Sequence, residues 1–355
     1  MIPIFDGHND TLLNLVSPLL DKKWDFLSKN EVGHIDLIRA REGGLYGGIF
    51  SINVPNQRNL HEDNSPPVIR FTNNGYEMDL VPQIDHEYAK NYTDKILQRL
   101  SNLVKKSNGN LHIIKHFHTL KTDFTQKLLS IILHFEGAEM IRKDLQNLEV
   151  YYKKGLRALG PVWSRPNAFG YGVPFKFPHT SDIGPGLTSN GKKLVQKCNE
   201  LGIIVDLAHL NMKGFIDVVK LSTDPLVVSH TGVYNLCRAT RNITDKQIDM
   251  IGDSNGIIGI YFDPINLLLK SMPDKNMSLS VIIDHIEYIV QRIGIDHVGF
   301  GSDFDGADMP NKIRDASSFP NLIQALKEKG YTKSSIEKIA YKNWFRILKT
   351  TWRNN

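Results

Sequence analysis

The chain has 355 residues, long enough for one large barrel-type domain or two ordinary ones. Apolar residues make up 41% and charged residues 23%, the balance of a globular protein, and no window nears the roughly 18 uninterrupted apolar residues of a membrane span. Lys and Arg number 43 against 38 Asp and Glu, a formal charge of +5, but the basic residues are scattered in pairs such as Lys105-Lys106 and Lys192-Lys193. Nucleic acid calls for a clustered stripe with interleaved aromatics, which is absent. Cys198 and Cys237 form neither a CxxC pair nor a disulfide framework, and no secretory signal opens the chain. The expectation is a cytoplasmic protein with two buried thiols.

The first ten residues, MIPIFDGHND, read as a short apolar strand that gives way to a loop at Asp6-Gly7. His8 and Asp10 lie two apart, so in extended backbone they share a face and can converge on one point. Residues 36–42 read as a helix closed by Gly43-Gly44, and 45–52 as a second strand. Residues 55–83, polar and rich in Pro and Asn, read as a loop too long for an ordinary connection, which points to a functional insertion. A helix is predicted from 84 to 106. A buried strand over 130–135 ends on Glu136-Gly137; helix-like sequence from Glu139 and a strand at 155–159 follow it. Residues 160–186 are irregular, and Leu187-Thr188-Ser189 opens a helix that Gly202 closes, with Thr188 or Ser189 as its cap.

Repetition is clearest in the second half. Strands are predicted at 203–207, ending at His209, at 225–229, ending at His230, at 256–262, and at 297–301, ending at Ser302-Asp303. Helices are predicted near 212–221 and 279–292, and two or three more close the chain between 320 and 351. Seven or eight buried strands, most followed by a helix, argue for an all-parallel α/β architecture in one domain over residues 1–355. Polar residues gather just past the strands' carboxyl ends, where a (β/α)8 barrel of the TIM type keeps its chemistry. The rival, a doubly wound open sheet, usually shows a glycine-rich phosphate loop after its first strand, and DGHND is not one.

Five candidate ligands thus fall at four strand ends: His8, Asp10, Glu136, His209 and His230. Singly, each has a plain structural explanation, such as an N-cap for Asp10 or a helix-start carboxylate for Glu136. Five at equivalent places in successive units point to a metal site. Nitrogen and oxygen donors without thiolate suit Zn²⁺ or a similar divalent ion, and a bridging carboxylate suits a pair of ions. Asp303 is placed to carry a proton to a leaving amine, with Asp305 the alternative. Arg238 and Arg241 follow His230, and either can grip a substrate carboxylate bidentately. His134 shares the face of Glu136 but reads as a packed core histidine, and His179 as a solvated one.

Together, the segments DGHND, HFEG, GLTSNGKKLV, IIVDLAHL, VVSH, CRATRN and GIDHVGFGSDFDG resemble the membrane (renal) dipeptidase family of zinc peptidases, in family order and over essentially the whole chain. The resemblance implies a (β/α)8 barrel holding two Zn²⁺ ions. It assigns one ion to His8, Asp10 and Glu136 and the other to Glu136, His209 and His230, with a water or hydroxide between them as nucleophile. It also implies that Arg241, ahead of Arg238, holds the terminal carboxylate of a dipeptide, that Asp303 handles the proton, and that the chain forms a homodimer. One residue departs from the pattern: Trp163 stands where the better-known members carry a substrate-binding histidine. Losing one oxyanion donor typically costs about 10²–10³ in rate unless another group, such as Arg165, replaces it.

The expected function is therefore hydrolysis of dipeptides, possible substrates including those with a C-terminal D-residue. The alternatives are a related amidohydrolase acting on another amide, an N-acyl amino acid or a lactone, and a binding module without catalysis. Retention of all five ligands and Asp303 speaks against the last.

Overall fold

The computed structural model describes residues 1–17, 24–56, 69–269 and 273–352. Strands β1 (Ile4–Asn9) and β2 (Leu45–Asn53) flank α1 (Leu37–Gly43). The Asp36 side chain caps α1 by accepting from Ile38 and Arg39 N–H, and Gly44 ends it in the left-handed conformation that glycine adopts without strain. Next come β3 (Arg70–Thr72), β4 (Gly75–Glu77), α2 (His86–Lys106), β5 (Leu111–Ile113), α3 (Phe117–Thr125) and β6 (Leu129–Glu136). The middle of the chain holds α4 (Leu148–Lys154), β7 (Leu156–Gly160), β8 (Lys176–Phe177), α5 (Ser189–Leu201), β9 (Ile204–Val205), α6 (Met212–Leu221) and β10 (Val227–Thr231). The last third holds α7 (Asp245–Asp253), β11 (Ile257–Ile260), α8 (Pro264–Leu267), α9 (Leu279–Ile293), β12 (Val298–Phe300), α10 (Phe319–Glu328), α11 (Lys333–Glu337) and α12 (Asn343–Thr351).

The result is a mixed α/β fold around parallel sheet. Strands pair in the order β1-β2-β6-β7-β9, with β5 also on β6, while β10-β11-β12 form a second parallel sheet. Two single bridges join these sheets, Asp206 to Val227 and Asn9 to Phe304. The expected eight-stranded barrel is thus present as a half-barrel sheet and a three-stranded sheet, not as one continuous ladder. The joins are short because β9 keeps only two paired residues before Asp206 turns its carboxylate onto the Ala208 and Ser229 N–H groups.

Two apolar layers hold the strands. Residues on one strand face, among them Phe5, Ile49, Ile132, Ala158, Ile204, Val227 and Ile257, pack with Trp344, Ile347 and Leu348 of α12. The opposite faces pack against the surrounding helices in a larger cluster. Alternation along each strand produces both layers, since successive side chains point to opposite sides. Both cysteines are buried and unbridged. No helix among the described residues is long and apolar enough to cross a membrane.

Several elements differ from expectation. Within the predicted 55–83 insertion, residues 57–68 lie outside the described residues. Beyond them, β3 and β4 form a hairpin that pairs with β8 in an antiparallel sheet, Tyr76 opposite Phe177. These strands are two or three residues long and depend on a partner about 100 positions away, so no local alternation marks them. The helix expected from Glu139 begins only at Leu148. Glu139 instead turns inward to pair with Arg165 at 2.8 Å. Helix α3 and strand β5 had no counterpart in the sequence reading.

Helix α9 brings a further buried histidine to the loop that follows β10. His285 Nδ1 accepts from Val233 N–H at 2.9 Å, and Nε2 faces the Leu267 carbonyl at 3.1 Å. Burial pulls its pKa down from 6.5 to about 4, against the raising effect of the Leu267 carbonyl. Because the folded value lies below the unfolded one, the unfolded chain takes up the proton first. The contribution is full above about pH 6.5 and is lost as pH falls toward 4, up to about 3 kcal/mol. Thermal unfolding across that window should show a steep fall in midpoint that His285→Gln flattens.

Candidate metal centre

The carboxyl ends of the strands bring the predicted residues together. His8 sits near the end of β1, Glu136 is the last residue of β6, and His230 lies within β10. His209 follows β9 in the left-handed backbone region (φ 64°), and Asp303 follows β12 in the same region (φ 62°). Side chains other than glycine seldom adopt that conformation, and strain of this kind clusters at functional sites.

Glu136 is the hub. Its Oε1 lies 2.9 Å from His209 Nε2, 3.3 Å from His230 Nε2 and 3.7 Å from His8 Nε2. His8 Nε2 is also 3.8 Å from Asp10 Oδ2 and 3.8 Å from Asp303 Oδ1. The imidazoles are oriented from behind. Ser164 Oγ is 2.7 Å from His209 Nδ1, and Ser229 Oγ is 2.8 Å from His230 Nδ1 while donating to Asp206 at 2.5 Å. With its hydroxyl proton on Asp206, Ser229 accepts from His230 Nδ1–H, which leaves the Nε2 lone pair facing Glu136. Such outer partners set tautomer and ring angle at metal sites. Ser229→Ala should therefore weaken metal binding about 10–100-fold in a chelator competition, with little change in the unfolding midpoint.

The charges at the site call for cations. Burial, reinforced by Arg241, pulls the His209 pKa down to about 4, and burial with His8 nearby holds His230 well below its usual value. Both rings are neutral donors. His8 goes the other way: burial opposes its charge, yet Glu136, Asp10 and Asp303 together raise it to about 10. Burial also disfavours ionisation of Glu136, but His8 and His209 hold its pKa well below normal. Three carboxyl groups surround this one imidazole; burial raises the pKa of Asp10 and holds that of Asp303 well above its ordinary value, and His8 Nε2 is buried with no hydrogen-bond partner among the described residues. Three triads, His8-Glu136-His230, His8-Asp10-Asp303 and His8-His134-Asp206, each place their donor atoms within 4.8 Å of one another. A divalent cation fits this donor set, with nitrogen and oxygen ligands and no sulfur.

Other residues surround this cluster. Asn53, opposite Glu136 in the β2–β6 register, donates to its Oε2 at 3.0 Å, and Ser51 bonds to Asp10. Sequence reading passed over both, although Ser51 and Asn53 share the inward face at spacing two. Ser164, in the irregular 160–186 segment, carried no such signal. A Cβ on Gly306 would collide with both Asp10 Oδ2 and Asp303 Oδ1, so only glycine lets the chain pass between these carboxylates.

Arg241 is buried, makes no ion pair among the described residues, and acts electrostatically on both His209 and His230. Arg238 is exposed. Thr240 N–H donates to the Lys176 carbonyl at 3.0 Å, so the β3-β4-β8 sheet abuts the segment that carries Arg241. Trp163 lies with its ring 5.8 Å from those of His209 and Phe175, forming an aromatic wall. Two alternatives from the sequence are engaged in other contacts. Asp305 is occupied by Thr11 Oγ1 at 2.6 Å and His34 N–H at 2.8 Å. Arg165 is buried and spends three of its five N–H donors on Glu139, Asn56 and the Val54 carbonyl. His134 is fully buried, 3.3 Å from Asp206 and edge-on to His8, in the layer beneath the cluster. His179, expected to be solvated, is half-buried, with Nδ1 2.9 Å from the Thr180 carbonyl oxygen.

Buried imidazoles and carboxylates converging at the ends of parallel strands define a metalloenzyme of the α/β class. Comparison with known proteins gives the narrower placement. The membrane dipeptidase family (peptidase family M19) matches residues 1–355. A metallo peptidase from Rhodobacter sphaeroides, solved with a phosphinate mimic of the dipeptide L-Ala-D-Ala, is 38% identical with a TM-score of 0.92, covering 99% of each chain. A second solved metallo peptidase, dipeptidase AC, superposes with a TM-score of 0.91 at 38% identity, again over 99% of each chain. The dipeptidase tcpJ of Claviceps purpurea is 26% identical over 353 residues, 97% of this chain and 76% of that protein. The chain belongs to the membrane dipeptidase family, peptidase family M19, and is a metallo dipeptidase.

Proposed function

We propose that the chain is a dinuclear zinc dipeptidase whose substrates include dipeptides with a C-terminal D-residue. The observation that carries this reading is the convergence of three imidazole Nε2 atoms on one Glu136 oxygen, with His8 Nε2 buried and unpartnered. In this reading His8, Asp10 and Glu136 hold one ion, and Glu136, His209 and His230 the other. The ions would supply a Lewis acid for the scissile carbonyl and lower the pKa of a water. The rest of the chemistry falls to the chain. Arg241 binds the free carboxylate of the substrate through parallel N–H donors and so fixes the distance from that end to the scissile bond. Asp303 takes the proton of the attacking water and delivers it to the departing amine. Trp163 and Phe175 wall the site beside His209 and exclude water from it.

The L,D preference is supported by the phosphinate mimic of L-Ala-D-Ala held by the 38%-identical neighbour. The proposal includes closure of the sheets into a (β/α)8 barrel, supported by the two bridges that link eight parallel strands into a ring. It also includes a cytoplasmic location, which two unbridged thiols suit, and a homodimer, which rests on the family resemblance. Metal analysis with a panel of L,L- and L,D-dipeptides, with and without chelator, tests the main claim. About two zinc ions per chain and chelator-sensitive cleavage are expected; a folded, metal-free chain that still cleaves dipeptides would sink it.

A further inference from the structure

A cavity of about 660 Å³ opens at the end of the sheet opposite the metal centre, between the amino ends of β1 and β2, α3 and α12. Its wall is aromatic. Phe345 lies 4.7 Å from Phe124 and meets Phe117 and Tyr341 edge-on at 5.7 and 5.6 Å, with Tyr46 completing the wall against Phe124. Its charge is one-sided: among the described residues five Lys or Arg side chains line it and no Asp or Glu does. Glu337, 2.6 Å from Lys342, neutralises one of the five from outside. Lys121 and Lys127 are exposed and make no ion pair among the described residues. Arg346 spends its terminal nitrogens on the carbonyls of Asn255, Gly256 and Asp296, while its Nε is buried with no hydrogen-bond partner among the described residues.

Size, lining and charge each restrict the occupant. The volume is that of a small-molecule site. Partly exposed aromatic rings favour a flat apolar body, which stacks or meets their edges. Unpaired cations at the rim favour a negative group, and an inorganic anion alone would leave the rings wet. We infer that this cavity binds a small aromatic anion, a carboxylate, sulfonate or phosphate on a ring system, at a site separate from the dipeptide site.

Anilinonaphthalene sulfonate is a suitable probe, with uncharged N-phenylnaphthylamine as its control, titrated into the metal-loaded full chain. One sulfonate per chain is expected, with affinity that falls as salt is raised. In the double variant Lys121→Glu/Lys127→Glu, sulfonate affinity should drop about tenfold, while the neutral probe and dipeptide hydrolysis are unchanged. Both lysines are exposed, so the variant keeps the core intact. Absence of saturable binding, equal affinity in the variant, or displacement of the probe by dipeptide would each overturn the inference. So would a variant that sediments as a smaller species than the parent while the parent takes up no probe, since the face would then be a contact between copies of the chain.

Discussion

Glu136→Gln is expected to leave a folded chain that holds at most one zinc ion and cleaves dipeptides at least about 10³-fold more slowly. The carboxylate faces His8, His209 and His230 together, through a single oxygen. An amide keeps the shape and the Asn53 contact but removes the negative charge that the two ions would share. One electrostatic stabiliser is typically worth about 10²–10³ in rate, and loss of an ion adds to that. Metal content by mass spectrometry and kcat on one dipeptide measure the effect. Retention of two ions and near-parental turnover would remove Glu136 from the bridging role.

Arg241→Ala should separate substrate binding from metal binding. The guanidinium is buried beside His209 and His230 and makes no ion pair among the described residues, a costly arrangement unless a substrate carboxylate completes it. Removing one member of a buried, hydrogen-bonded charge pair costs about 2–5 kcal/mol, or roughly 30- to several-thousand-fold in kcat/KM for free dipeptides. Metal content should stay at the parental level, and cleavage of dipeptide esters or amides should change little. Equal losses on charged and uncharged substrates would show that Arg241 supports the fold of the loop after β10, not recognition.

The same residues show how far the chain can be read without coordinates. His8 and Asp10, two apart at the end of an apolar run, and Glu136, His209 and His230, each at the end of another, were legible because strand ends are written in local hydrophobicity. The helix caps were legible for the same reason; the Thr188 side chain accepts from Gly191 N–H as its position suggests. The choice between Arg238 and Arg241 was not local. Eight or eleven residues past His230, either could turn inward, and the fold buries Arg241 while leaving Arg238 in solvent. Asp305 stood as the alternative to Asp303, and in the fold Thr11 and His34 bond to it.

By itself the amino-acid sequence determined the strand-and-helix alternation, the five candidate ligands and the family, because each depends on residue type and short spacing. Tertiary structure alone decided which oxygen the imidazoles share, which arginine is buried beside them, that Arg165 pairs with Glu139, and that an aromatic, cation-rimmed cavity lies at the far end. Those outcomes depend on contacts between residues up to hundreds of positions apart, and the packing that brings them together leaves no periodic trace along the chain.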